Sequence, residues 1–144
     1  MSYQEILSAQ HRACDALIIA TEQAAHGGDW PAACEAARRF VEQTQAHLAF
    51  EEQTLFPALE AASPMAAGPV GVMRLEHAQM RELFDELIEA TRRADEPALA
   101  DCINTLLMLM RQHNAKEENV LYPLADRSLP VERVDPVEAA RDRN

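Results

Sequence analysis

Apolar positions recur at steps of three and four along most of the chain, the period of amphipathic helices. From about Ser2 to Ala25 the stripe runs Ile6/Leu7, Gln10/His11, Cys14, Leu17/Ile18 and Thr21, and Gly27 with Gly28 stops it. Asp29 is placed to cap a second helix, with Pro31 in its first turn and Phe40, Thr44, His47/Leu48, Glu51 and Leu55 facing inward. That helix runs to about Glu60, and Pro57, which has no backbone N–H, predicts a kink or break near its end. A linker rich in Ala, Pro and Gly follows, from Ala61 to about Pro69. A third helix is expected from about Val70 to Arg93, with the stripe Met73, His77, Met80/Arg81, Phe84 and Leu87/Ile88. Asp95 and Pro97 open a fourth, which carries Ile103, Leu106, Met110, His113, Glu117 and Val120/Leu121 and meets Pro123. The pattern gives one domain over 1–128 and a C-terminal tail over 129–144, with two further prolines.

The polar positions on these stripes repeat. His47 to Pro57 and His113 to Pro123 both read H-x-A-x-E-E-x-x-L-[FY]-P, 66 residues apart. The same offset, without a gap, carries His11 to His77, Asp29 to Asp95, Pro31 to Pro97 and Phe40 to Leu106. The chain is therefore a tandem repeat of a helical hairpin, residues 1–66 and 67–132. Short connections make hairpin helices antiparallel, so the expected fold is all-α, an up-down-up-down four-helix bundle with a pseudo-twofold axis.

Composition adds limits. A chain of 144 residues suits one domain, and its Ala, Leu and Glu content favours helix. A net charge of −11 argues against nucleic acid and anionic membrane surfaces as partners. Cys14, Cys34 and Cys102 are odd in number and form no C-x-x-C, which suits reduced thiols in the cytoplasm. No signal-peptide pattern opens the sequence, and its apolar runs are too short to span a bilayer.

The repeat nominates a site. Each half offers a His on its first helix and a His with a Glu four residues later on its second: His11, His47, Glu51 and His77, His113, Glu117. Four imidazoles and two carboxylates inside a bundle are costly unless something compensates them. A metal centre does so, and this donor set suits iron, zinc, copper or manganese rather than calcium or magnesium. Six ligands about a twofold suggest two ions, with the two carboxylates as bridges. The plainer alternative is four histidines paired to carboxylates at polar helix ends. His26 aligns with Arg92 in a last helical turn and is left out of the site. Glu52 and Glu118 are expected to face solvent or to support the ligands from behind. Cys14 reads as a small buried apolar residue one turn from His11, and Met80 with Phe84, Phe40 and Leu106 as walls of an apolar pocket beside the metals.

These residues resemble the hemerythrin-like family, the HHE cation-binding domains. The resemblance covers about residues 5–125 and rests on His11, His47 with Glu51, the Glu76-His77 pair, His113 with Glu117, and the two E-E-x-x-L-[FY]-P tails. It implies a left-handed four-helix bundle holding two non-haem iron ions, oxo- or hydroxo-bridged, with zinc or manganese as alternatives. It also implies a small diatomic ligand such as dioxygen. Oxygen carriers of the family have a second third-helix His where this chain has Arg81, and a carboxylate five residues after the last His, here Glu118. The internal repeat favours Glu117. Arg81 aligns with Asp15, and a salt bridge between the two is the expected use of both, ahead of anion binding at the metals. The leading reading is a binding or sensing protein for dioxygen or iron. The alternatives are a di-iron redox enzyme acting on nitric oxide, peroxide or iron–sulfur cluster damage, and a helical interaction module with little or no metal. No nucleophile stands apart from the ligands, which weakens a hydrolase. A homodimer is compatible with the sequence but is not located by it.

Overall fold

The computed structural model describes residues 1–130. The predicted tail falls mostly on residues 131–144, which lie outside the described residues. Among the described residues every regular element is helical: α1 (Tyr3–His26), α2 (Trp30–Phe50), α3 (Phe56–Ala62), α4 (Ala67–Arg92), α5 (Glu96–Lys116) and α6 (Tyr122–Ser128). No described helix is long and apolar enough to cross a membrane.

The caps follow the sequence. Ser2 and Glu5 form a capping box at α1, and Asp29 and Asp95 accept from Ala32 N–H and Ala98 N–H at the starts of α2 and α5. Gly28 ends the first hairpin's turn at φ 77°; its repeat counterpart, Ala94, takes the same left-handed conformation at φ 53°.

Two departures from the expected pattern bear on the site. The disturbance assigned to Pro57 begins upstream, as a π-helical turn over Glu51–Leu55, with Phe56 N–H bonding Glu51 C=O. Pro57 cannot donate to the carbonyl four residues back, and the chain absorbs this with one wide turn before restarting as α3. The repeat does the same at Glu117–Leu121 before Tyr122 and Pro123. Secondly, the linker is shorter than expected. Pro64–Ala66 form a 3₁₀ turn and α4 starts at Ala67, with Pro69 tolerated in its first turn.

α2 with α3, and α5 with α6, act as two broken long helices beside α1 and α4. Side-chain pairs fix the order. His11 meets His47, Gln45 meets Arg81, Glu52 meets His77, and Cys102 meets Leu83 O, so neighbouring helices run antiparallel. At the open end, Tyr3 N–H bonds Asp126 at 2.7 Å, Tyr3 OH bonds Pro130 O at 3.1 Å, and Leu129 packs against the apolar cluster there.

The core is divided. One apolar cluster contains Cys14, Ile18, Phe40, Leu48, Met80, Phe84 and Leu106. The other contains Tyr3, Leu7, Leu55, Phe56, Met73, Leu121 and Tyr122. The buried His and Glu residues form the layer between them, since each lies on a helix between members of the two clusters.

Candidate metal centre

Each half carries two consecutive glutamates at the start of its wide turn. Glu51 and Glu117 are fully buried and point into the bundle interior, while Glu52 and Glu118 reach the backs of histidines from other helices. A regular helix would separate each consecutive pair by about 100°.

All six predicted residues come together, in two donor sets that share both carboxylates: His11, His47, Glu51, Glu117 and His77, His113, Glu51, Glu117. In the first, His47 Nε2 lies 3.3 Å from Glu51 Oε2, His11 Nε2 lies 3.1 Å from Glu117 Oε1, and the two Nε2 atoms are 3.2 Å apart. In the second, Glu51 Oε1 and Glu117 Oε2 lie 3.2 Å from His77 Nε2 and His113 Nε2, which are again 3.2 Å apart. Each carboxylate thus gives one oxygen to each set.

These spacings fit a cation in each set. Neighbouring donors on an octahedral ion with bonds of about 2.1 Å stand roughly 3 Å apart. Glu51 Oε1 and Glu117 Oε2 are buried with no hydrogen-bond partner among the described residues, a costly state that a cation would relieve. Without one, protons take its place. Burial lowers the affinity of His11 for a proton, but Glu117, Glu118 and Glu51 outweigh it and raise the pKa. The same contest, led by burial against Glu117, lifts His113 to about 9. Burial raises the Glu51 carboxyl, but His47 and His77 overcome this and hold it well below its ordinary value.

Every imidazole is oriented from behind. Nδ1 of His11 bonds Glu118 at 2.7 Å, that of His47 bonds Gln10 at 2.7 Å, that of His77 bonds Glu52 at 2.7 Å, and that of His113 bonds Glu76 at 2.9 Å. All four acceptors are oxygens, so a proton is held on Nδ1, and Nε2, which faces the interior, is the nitrogen left to bind a cation in place of a proton. The 66-residue offset relates Gln10 to Glu76 and Glu52 to Glu118. The helical stripe alone does not single out Gln10 or Glu76 as supports; the signal for both is the position just before each first-helix His.

The halves differ in charge. Glu52 is gripped by Arg81 and Glu76 by Lys116. The expected Asp15–Arg81 salt bridge is not what Arg81 makes: it donates to both Glu52 oxygens and to Gln45. α1 and α4 are diagonal in the bundle, so each residue faces the supporting glutamate of the other half rather than its own repeat counterpart. Asp15 lies near Glu118, and burial together with that charge raises its pKa against the pull of His11 and Arg111.

Tyr122 was quoted only as the aromatic of the repeated motif. Its hydroxyl is buried in the first donor set, 2.6 Å from Glu51 Oε2, 2.9 Å from Glu117 Oε1, 3.1 Å from His11 Nε2 and 3.3 Å from His47 Nε2. Burial and then Glu117 and Glu51 push its pKa well above the ordinary value. His26 stays outside, exposed near Glu96.

On the other side of the layer is a cavity lined by His11, Cys14, Thr44, His47, Leu48, Met80, Met110, His113, Asn114 and Glu117. It offers ≈ 10 Å³ to the centre of a water-sized molecule, about what one such molecule needs. Met80 lines it as expected, whereas Phe40, Phe84 and Leu106 pack farther into the apolar cluster. Cys14 faces the cavity as a thiol, since burial pushes its pKa up to about 11.

Comparison with known proteins agrees with this geometry. The chain is similar to the iron-sulfur cluster repair proteins YtfE of Salmonella schwarzengrund (strain CVM19633) and Salmonella typhimurium, each 32% identical over 93 residues. Those matches cover 58% of this chain and 42% of each relative, so the chain aligns with less than half of their length. No solved structure matches the chain. The family model for the hemerythrin HHE cation binding domain matches residues 3–125, and with the helical bundle and its buried His/Glu layer this places the chain in the hemerythrin-like family of metal-binding domains.

Proposed function

We propose that the chain holds a dinuclear non-haem iron centre that binds or senses a small neutral molecule, with dioxygen as the leading candidate. His11 and His47 serve one ion, His77 and His113 the other, and Glu51 and Glu117 span both. One observation carries this reading: each of the two buried carboxylates presents one oxygen to each histidine pair, at 3.1–3.3 Å. Two unrelated His–Glu pairs would not need both oxygens of both glutamates.

Bound iron would supply one-electron redox change and an open coordination position for a small oxygen or nitrogen ligand. The protein's part is to shape access. Leu48, Met80 and Met110 wall the cavity with apolar surface, which favours a small neutral guest over an ion. The supporting Nδ1 bonds hold each imidazole in one tautomer, so little reorganises when a cation enters.

The test is metal content and the visible spectrum of the purified protein, in air and after reduction. Two irons per chain with oxygen-sensitive absorption support the reading. A single zinc, or no metal and no thermal stabilisation on adding iron, sinks it.

A second reading has its own support. The relatives named for iron–sulfur cluster repair are 32% identical to this chain over 93 residues. In that reading the domain exchanges iron or electrons with a damaged cluster. Reactivation of a cluster-damaged enzyme by the iron-loaded protein, beyond that given by free iron, would favour it over simple ligand binding.

A further inference from the structure

The repeat makes the two donor sets almost superimposable, and one atom breaks the match. Tyr122 and Phe56 are related by the 66-residue offset. Their rings are placed alike, Tyr122 with its centroid 5.6 Å from that of His11 and Phe56 with its centroid 5.6 Å from that of His77. Interplanar angles are 32° and 26°. Only Tyr122 carries a hydroxyl, and that oxygen lies 2.6–3.3 Å from all four donors of its set.

Those distances say what the oxygen can be. Around a ring of donors spaced 3.1–3.3 Å apart, the centre would lie about 2.2 Å from each, the bond length of a first-row metal to nitrogen or oxygen. The phenol oxygen is too far from the donors to occupy that centre. It stands at the separation of a neighbouring ligand, roughly 3 Å from each of the others. A hydroxyl has one proton, so it can donate to Glu51 or to Glu117 but not to both at full strength, and hydrogen bonding alone does not account for four close neighbours. It also approaches from the Leu55, Phe56 and Leu121 side, leaving the cavity face open.

We propose that Tyr122 is a fifth protein ligand to one metal position only, so that the His11/His47 ion is bound by five protein donors and the His77/His113 ion by four, with Phe56 in the corresponding place. The inference rests on the metal-centre reading above. It makes the two positions chemically different. A hard phenolic oxygen favours the ferric state and the tighter hold at the His11/His47 position, and leaves the other ion with the more open coordination. On ligation the phenolic proton leaves to solvent and the oxygen keeps its electron pair for the metal.

The experiment uses the iron-loaded full chain. Iron per chain is measured, and the oxidised protein is examined by visible absorption and by resonance Raman scattering. The expected result is two irons with a phenolate-to-iron charge-transfer band that enhances tyrosine ring modes. Tyr122→Phe should lose the band and keep two irons. Adding Phe56→Tyr to that variant should restore a band from the other position. Two irons in the wild-type protein with no phenolate modes overturn the proposal while leaving the metal-centre reading intact, as does a band that survives Tyr122→Phe. Failure of the wild-type chain to bind iron removes both. If Tyr122→Phe does not fold, the wild-type Raman spectrum decides alone.

Discussion

Arg81 holds Glu52 through both guanidinium nitrogens, at 2.8 and 2.9 Å, and Glu52 in turn accepts from His77 Nδ1 at 2.7 Å. Where family oxygen carriers have a second histidine, this chain has a cation acting on the candidate ligand His77 through a carboxylate. Burial opposes ionisation of Glu52, but Arg81 and His77 prevail and lower its pKa, so the carboxylate stays charged behind the imidazole. Glu52→Gln removes that charge and keeps the shape. Metal affinity at the His77/His113 position should fall by roughly 10–100-fold, the usual effect of losing a residue that orients a ligand. Competitive metal titration of both proteins checks this. Arg81→Ala should act in the same direction and more weakly, since Arg81 is partly exposed and touches no donor.

Glu51 and Glu117 belong to both donor sets. Glu51→Ala or Glu117→Ala should therefore cost both ions rather than one. His77→Ala should spare the His11/His47 ion to a greater degree. Metal per chain, read after gel filtration, separates the cases. Retention of one full equivalent in both glutamate variants would reject the spanning assignment.

Stability of the metal-free protein should depend on pH in a defined sense. Among the His113 causes burial opposes the charge, but Glu117 and Glu51 raise its pKa from 6.5 to about 9. A raised pKa gives stability that is full below 6.5 and is lost as pH climbs through about 9. Glu51 is shifted the other way: its contribution is full above 4.5 and is lost as pH falls through its depressed folded-state value. The melting temperature without metal should therefore be highest between 4.5 and 6.5 and decline toward 9. Bound metal should flatten the alkaline side, because the ion takes the place of the protons. A metal-free protein that grows more stable from neutral to alkaline pH would contradict this.

Ala94 sits at φ 53° where its repeat counterpart Gly28 sits at φ 77°. A Cβ in the left-handed region costs about 1–2 kcal/mol, and glycine's extra freedom in the unfolded chain returns part of that. Ala94→Gly should stabilise the fold by about 0.5–1 kcal/mol, seen as a rise of a few degrees in melting temperature. Gly28→Ala should do the reverse by a similar or larger amount, with metal content unchanged in both.

Much of this protein was legible in its sequence because the information was local or repeated. Helical period, Asp29 and Asp95 as caps, and the glycine stop are set within a few residues. The 66-residue repeat then named His11, His47, Glu51, His77, His113 and Glu117 by symmetry alone. What the linear pattern could not supply was the relation between helices. A regular helix would turn Glu52 and Glu118 away from the interior face. That phase turns them toward neighbouring helices, where they support His77 and His11 from behind, one of the two roles expected of them, and which histidine each meets is set by packing. Asp15 and Arg81 align in the repeat, and alignment suggested contact. In a bundle, symmetry-related residues on diagonal helices do not meet each other; each meets the helix of the other half packed beside it, so Arg81 found Glu52 instead. Tyr122 and Phe56 are interchangeable as apolar ring positions in a motif. Only packing, which aims the Tyr122 para position between two carboxylates and two imidazoles, turns one oxygen atom into a difference between the two donor sets. The sequence by itself determined which donors exist and on which helical faces. The tertiary structure decided which donors stand together, because that depends on distances between helices, and periodicity along one chain carries no such distance.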